Sequence, residues 1–237
     1  FSATFAPRIM QLAEKLTKDP IRIAITAMNQ AKPDIRELIH LADNESHRIK
    51  LLEHYLSDSS VDQAVIFART QVECEQLGEK LTAQGLSVTY LHGALPQSVR
   101  TRRLNAFREK RVQWLVATDV AARGLDVPSI SHVINLGLPM KPEDYVHRIG
   151  RTARAGASGT AVTFVDWDEL TRWSHINQAL ELGFPEPQET YSSSDHLYTD
   201  LGIARGTKSP EVKPKSEKVE RPVREKRERT RTKRVRG

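Results

Sequence analysis

Short apolar runs alternate with longer amphipathic runs along most of this chain. "APRIMQLAEKLTKDP" (6–20) carries Ile9, Leu12, Ala13 and Leu16 at helical spacing and stops at Asp19-Pro20. "IRIAI" (21–25) and "IRELIHLA" (35–42) have the apolar character of strands, and "HRIKLLEHYLSD" (47–58) sets Ile49, Leu52 and Leu56 on one helical face. One theme then repeats four times. "QAVIFA" precedes a helix over 70–85 that Gly85 closes, and "SVTYLH" precedes "PQSVRTRRLNAFREK". "VQWLVAT" leads into "DVAARGLDVPSI", and "HVINLG" into "KPEDYVHRIG". "GTAVTFV" and the helix "DWDELTRWSHINQAL" end the pattern. Strands of five to seven residues alternating with helices predict βαβ crossovers, hence an α/β fold with a parallel sheet flanked by helices.

In such a sheet, functional groups gather beyond the carboxyl ends of the strands. Arg69, His92-Gly93 and Thr118-Asp119 fall there, so several loops converge on one edge suited to an extended ligand. From about Glu186 the periodicity fails. The remainder is poor in large apolar residues and rich in Pro, Ser, Lys, Arg and Glu, and disorder is expected from about residue 204.

Charge sharpens that division. The 237 residues are 38% hydrophobic and 28% charged, with a net charge of +6. From Arg205 onward 14 Lys/Arg face 5 Asp/Glu, a net of +9, which leaves residues 1–204 at −3. A basic tail on a mildly acidic body predicts a polyanionic partner, nucleic acid in preference to membrane. The single cysteine, Cys74, excludes an internal disulfide and a cysteine-based metal site and reads as a packing residue. No apolar run is long enough for a membrane-spanning helix, and no signal peptide is visible. The start at Phe1 reads as a cut within a longer chain.

The most unusual stretch is "YVHRIGRTARAG" (145–156), with Arg148, Arg151 and Arg154 close together. Arg151 and Arg154, three apart, would face one way on a helical turn. Guanidinium groups fork onto phosphate oxygens, so a phosphate clamp is the sharp reading and a solvated basic face the plain one.

Context favours the clamp. "VATDVAARGLDVPSISHVINLGLPMKPEDYVHRIGRTARAGASG" resembles motifs V and VI of DEAD-box RNA helicases, "AVIFART" resembles motif IV, and "LHGALPQSVR" the HG loop with the QxxR motif. Ser2-Ala3-Thr4 resembles motif III. The resemblance implies the second, RecA-like lobe of a bacterial-type ATP-dependent RNA helicase, located in the cytoplasm. It divides the chain into the end of the first lobe and a linker (1–25), the C-terminal RecA-like domain (26–182), an extension (183–204) and a basic tail (205–237).

By the same resemblance, Arg151 and Arg154 are arginine fingers at the γ-phosphate and His147 couples the cleft to the other lobe. Asp126 and Gly124 lie at the nucleotide. Arg69, Gly93, Gln97, Arg100 and Thr118 hold the RNA backbone, and Ser2 and Thr4 couple the lobes. The cofactor implied is ATP with Mg2+ held by the first lobe; the partners are RNA and that lobe. Plainer roles remain open: Thr118 as a helix cap, Gln97 and Arg100 as a local pair, Asp126 as a turn residue, His147 as a packed histidine. Trp114, Trp167 and Trp173 read as core or lobe-surface packing. Neither G-x-x-x-x-G-K-[ST] nor a DEAD tetrapeptide occurs, so the chain alone is expected to hydrolyse nothing. A non-enzymatic RNA-binding module and a DNA helicase or translocase of the same superfamily are the alternatives. Ala153 stands where the family usually has glycine.

Overall fold

The computed structural model describes residues 14–16, 34–58, 60–122, 130–153 and 158–202. Residues 14–16 are helical, as the spacing predicts, whereas the strand expected over 21–25, Ser2, Thr4 and the basic tail lie outside the described residues. The described strands all lie in the unit from Asp34 onward.

Seven strands form that sheet in the order β3-β4-β2-β5-β6-β1-β7, every pairing parallel. They are β1 (Ile35–Ala42), β2 (Ala64–Phe67), β3 (Val88–Leu91), β4 (Trp114–Ala117), β5 (His132–Asn135), β6 (Gly159–Asp166) and β7 (Gln188–Glu189). The central strands "WLVA", "AVIF" and "HVIN" are buried at all four positions. That is what helices on both faces of a parallel sheet demand.

One face packs against α1 (Glu45–Leu56) and α2 (Gln71–Ala83), through Leu51, Leu52, Tyr55, Cys74, Leu77 and Leu81 against Ile66, Val116, Ile134 and Phe164. Burial pushes the Cys74 thiol up to about 11, so it packs and does not react. The other face carries α3 (Gln97–Arg108) and the short α4 (Asp119–Ala122) over Val65, Leu115 and Val133. Beside them α5 (Pro142–Ile149) and α6 (Leu170–Leu180) set Tyr145, Ile149, Trp173 and Ile176 against Ile39, Leu41 and Val165. Asn44 and Thr70 start α1 and α2 by accepting the backbone N–H groups of His47 and Glu73. Gly85, at φ 85°, follows α2 as its spacing predicts.

The segment past Glu186 departs from the expectation drawn from the sequence, for it contains β7 and a further helix, α7 (Asp195–Leu201). Leu197 and Leu201 enter the core cluster shared by α1 and α2. A buried polar chain ties this segment to β1. Thr190 Oγ1 donates to Gln188 O (2.9 Å) and accepts from His40 Nδ1 (3.0 Å) and His196 Nε2 (2.7 Å). His40 Nε2 is then left to accept from the Tyr55 hydroxyl (2.5 Å). Periodicity missed α7 because only one face of seven residues is apolar and the rest is Asp, His and Thr.

Candidate functional site

The carboxyl ends of β2, β3 and β4 lie side by side, so the residues after them form one edge. Ala68-Arg69 follows β2, His92-Gly93 follows β3, and Thr118 follows β4. Arg69 is exposed and leans on the Glu73 carboxylate at 3.5 Å. Its stem lies on Gly137, where an added Cβ would collide with Arg69 Cγ and Cδ. Gly137 is thus glycine because the arginine crosses it. Gly93 is exposed, and a Cβ there would meet nothing closer than Gln71 Nε2 at 3.6 Å. Gln97 and Arg100 make the local pair that their spacing allows, Arg100 Nη1 donating to Gln97 Oε1 at 3.2 Å near the start of α3.

Thr118 separates its two candidate roles atom by atom. Its carbonyl caps α4 by accepting the Ala121 and Ala122 N–H groups, at 3.0 and 2.9 Å. Its hydroxyl takes no part: Oγ1 is buried without a hydrogen-bond partner. Next to it in the sheet, His92 is 5% exposed and both ring nitrogens lack partners, while the ring stacks parallel to Tyr90 at 5.9 Å. Among the described residues six buried side-chain polar atoms have no partner, and three of them belong to these two neighbours. A buried polar atom without a partner costs about 1–3 kcal/mol, and three of the six lie side by side at these strand ends. In the sequence His92 stands out only as the residue before Gly93, and no sequence signal distinguishes an orphaned ring from a packed one.

Behind this edge sits Arg148, the first arginine of the run, to which the sequence assigns no role. It is 2% exposed. Nε and Nη2 fork onto the Asp119 carboxylate at 2.6 and 2.7 Å, while Nη1 donates to Gly137 O (2.6 Å) and Asn135 Oδ1 (3.2 Å). The guanidinium carbon lies 4.9 Å from the Phe67 ring centroid. One side chain therefore joins α5 to the ends of β2, β4 and β5. The turn after β5 is gripped from the other face too: Arg48 Nη1 donates to Leu136 O and to Glu169, and Glu169 Oε1 accepts the Leu138 N–H. Two buried arginines hold successive carbonyls of the glycine that Arg69 crosses and of the residue before it.

Arg151 stands differently. Pro142 opens α5, acids occupy its first turn, and Gly150 caps its end. Arg151 thus lies in the turn beyond the helix, half-buried, its Nε donating to His147 O at 3.1 Å. The helix therefore ends before Arg151, where the spacing suggests a helical turn. Thr152 leaves the helical path to bridge Ile130, its hydroxyl donating to Ile130 O, and Ala153 follows at φ 52°. That left-handed conformation suits glycine, the residue the family usually has there. His147 is exposed, which excludes the packed-core alternative. Arg154, Asp126 and Gly124 lie outside the described residues. Arg148 is committed to buried partners, whereas Arg151 is half-buried in the turn past α5.

The tryptophans behave as the sequence suggests. Trp114 and Trp173 are fully buried, and Trp167 lies on the surface beyond β6, donating to Asp43 at 3.3 Å. No group of His, Cys, Asp and Glu among the described residues is arranged to hold a metal ion, and no described helix is long and apolar enough to cross a membrane.

Comparison with known proteins gives a consistent result. Residues 47–156 match the helicase conserved C-terminal domain. Over 180 residues the chain is 39% identical to the ATP-dependent RNA helicase RhlB of Pseudomonas syringae, covering 76% of this chain and 45% of the relative. It is 38% identical to SrmB of Haemophilus influenzae over 70% of this chain and 38% of that protein. The chain thus spans less than half the length of these curated relatives. Among solved structures, the E. coli DEAD-box protein SrmB bound to the regulator RraA shares 33% identity at a TM-score of 0.62, over 76% of this chain and 99% of that one. S. cerevisiae Dbp5 bound to RNA and ADP BeF3 gives a TM-score of 0.71 at 30% identity, over 85% of this chain and 53% of Dbp5.

Proposed function

The chain belongs to the DEAD-box RNA helicases, as their C-terminal lobe, and from that premise we propose that it supplies the RNA-gripping edge and the arginine finger of an ATP-dependent RNA helicase. The observation that carries this reading is the division of labour within one arginine run. Arg148 is buried on fold partners, whereas Arg151, three residues on, lies half-buried in the turn past α5, its Nε on the carbonyl of exposed His147.

ATP supplies the phosphoanhydride that is broken, with Mg2+ held by the first lobe. This chain's part is to present positive charge where negative charge grows on the transferred phosphoryl group. Arg151 does so, with Arg154 beside it in sequence, and His147 faces the other lobe. Asp126 and Gly124 are assigned to the nucleotide, and Ser2 and Thr4 to interlobe coupling.

On the RNA side, Arg69, Gly93, Gln97, Arg100 and Thr118 hold the backbone of a single strand without reading its sequence. The local bond between Arg100 and Gln97 orients both groups and gives way when phosphate arrives. Closure of the two lobes draws on the differential affinity of ATP and RNA for the closed state, and the strand so held no longer fits a duplex. The tail from Arg205 adds sequence-independent attraction. We assign the whole protein to the cytoplasm.

Binding of single-stranded RNA by the chain itself tests the edge. Arg69→Ala and Arg100→Ala each weaken binding several-fold and lower its salt dependence by about one counterion. Variants that bind with the same affinity and the same salt slope would remove the edge from the RNA path.

A further inference from the structure

At the end of the sheet opposite the strand-end edge, the first residues of β1, β5 and β6 wall a cavity of about 480 Å³ together with the ends of α1 and α7. It has no part in the function proposed above. The titratable groups it leaves unpaired are all acceptors. Arg36 is committed to Asp200 of α7, Nη2 donating to Oδ1 at 3.0 Å and Nη1 to the carbonyl at 3.1 Å. Asp58, past the end of α1, accepts the Ser60 N–H on Oδ1 at 2.8 Å. Among the described residues, neither Oδ2 of Asp58 nor the carboxylate of Asp34 has a hydrogen-bond partner.

The third acceptor is less obvious. His132 opens β5 and is 8% exposed. Ser131 Oγ spends its only proton on Gln63 O at 2.9 Å and accepts the Asp62 N–H at 3.1 Å. His132 Nδ1, 3.0 Å from that oxygen, must therefore carry the ring's N–H. Burial holds the imidazole below its ordinary value, outweighing the nearby Asp58 carboxylate, so the ring is neutral. Nε2 is then a bare lone pair. It has no partner among the described residues, yet it is not one of the enclosed partnerless atoms, so it opens on the cavity that the ring lines.

The chemistry of these groups indicates the guest. Two carboxylates and an imidazole lone pair call for a cation with several N–H donors. An ammonium is a compact, strongly hydrated charge, whereas a guanidinium spreads five N–H donors over one plane and can meet acceptors from β1, α1 and β5 together. Leu38 and Leu201 line the same cavity and suit an alkyl stem. We propose that this cavity binds an arginine side chain, with His132 Nε2, Asp34 and Asp58 as its acceptors. The arginine comes from one of two sources: the chain's own arginine-rich sequence, which begins at Arg205, three residues past Gly202 in the cavity wall, or a basic segment of another protein.

The 15N signal of His132 Nε2 reads the site directly, because a lone pair that accepts a hydrogen bond moves upfield. The probe is a blocked peptide of sequence RERTRTKR, set against a control with every arginine replaced by lysine. The arginine peptide should move the signal to saturation, and the lysine control should bind roughly tenfold more weakly. Asp34→Asn and Asp58→Asn should each weaken the arginine peptide by about the same factor. Asp34 is exposed, so Asp34→Asn should melt with the unaltered chain.

The starting position of the signal separates the sources. A signal bonded before any peptide is added, and freed by deletion of 205–237, assigns the site to the chain's own segment; a free signal that the peptide moves assigns it to a partner. Three results overturn the proposal: a signal free with and without the tail that no peptide moves, equal binding of the arginine and lysine peptides, or an affinity unchanged when Asp34→Asn and Asp58→Asn are combined. RNA does not enter the experiment, so its outcome is independent of the edge reading.

Discussion

Replacing Arg148 by methionine should unfold this lobe far more readily than any change at Arg151. Methionine keeps the length of the side chain and its contact with the Phe67 ring and removes the charge. Four hydrogen bonds disappear, two of them to a carboxylate. What remains is unpaired: Asp119, 29% exposed, and the acceptors Gly137 O and Asn135 Oδ1 in the interior. Breaking one side of a buried ion pair costs about 3–5 kcal/mol. Asp119 keeps some contact with water, so about 3 kcal/mol is the better figure. That is a large share of the roughly 5–15 kcal/mol that holds a domain together. Urea denaturation followed by circular dichroism measures it, with the midpoint falling at unchanged slope. Arg151→Ala, measured alongside, should cost about 1 kcal/mol or less, because the side chain is only half-buried and its Nε bond is to a carbonyl of its own turn. A loss below about 1 kcal/mol for Arg148→Met would refute the reasoning, as would similar losses for the two variants.

Further outcomes concern backbone, pH and packing. Ala153→Gly should stabilise by about 0.5–1 kcal/mol, because the left-handed backbone at φ 52° costs an alanine more than a glycine; a lower melting temperature would contradict that. Burial lowers the His40 imidazole to about 3. Its neutral form is native, so its contribution is whole above about pH 6.5 and is lost as pH falls towards 3. At pH 5 the loss is about 2 kcal/mol, and His40→Gln should flatten that part of a stability–pH curve. If the slope between about pH 6.5 and 4 is the same in both proteins, His40 is not its source. Gly137→Ala should displace Arg69 and weaken single-stranded RNA binding several-fold with little change in melting, read by fluorescence anisotropy; unchanged affinity would mean that Arg69's path over Gly137 is irrelevant to RNA.

Much of the fold is legible in the sequence because the strands are short, apolar and separated by helices of regular period. "AVIF", "WLVA" and "HVIN" could occupy only the centre of a parallel sheet. The edge residues follow from strand ends, and their order of motifs from the family resemblance. Two features are hidden. The helix over 195–201 has one apolar face and polar company, so its place in the core depends on tertiary contact with α1 and α2. The second is the use of each arginine. Arg148 and Arg151 are the same residue type three positions apart, and only the end of α5 at Gly150 and the position of Asp119 decide which is buried. The silence of the Thr118 hydroxyl is likewise invisible, since a threonine before a helix predicts a side-chain cap that the structure does not make.

The most direct test joins this chain to a P-loop-bearing first lobe and measures RNA-stimulated ATP hydrolysis with and without Arg151→Ala. The finger assignment predicts turnover in the joined protein, none in the chain alone, and a fall of about 10³-fold for Arg151→Ala with RNA affinity changed by less than about threefold. Hydrolysis that survives Arg151→Ala, or losses of equal size in turnover and RNA affinity, would contradict it.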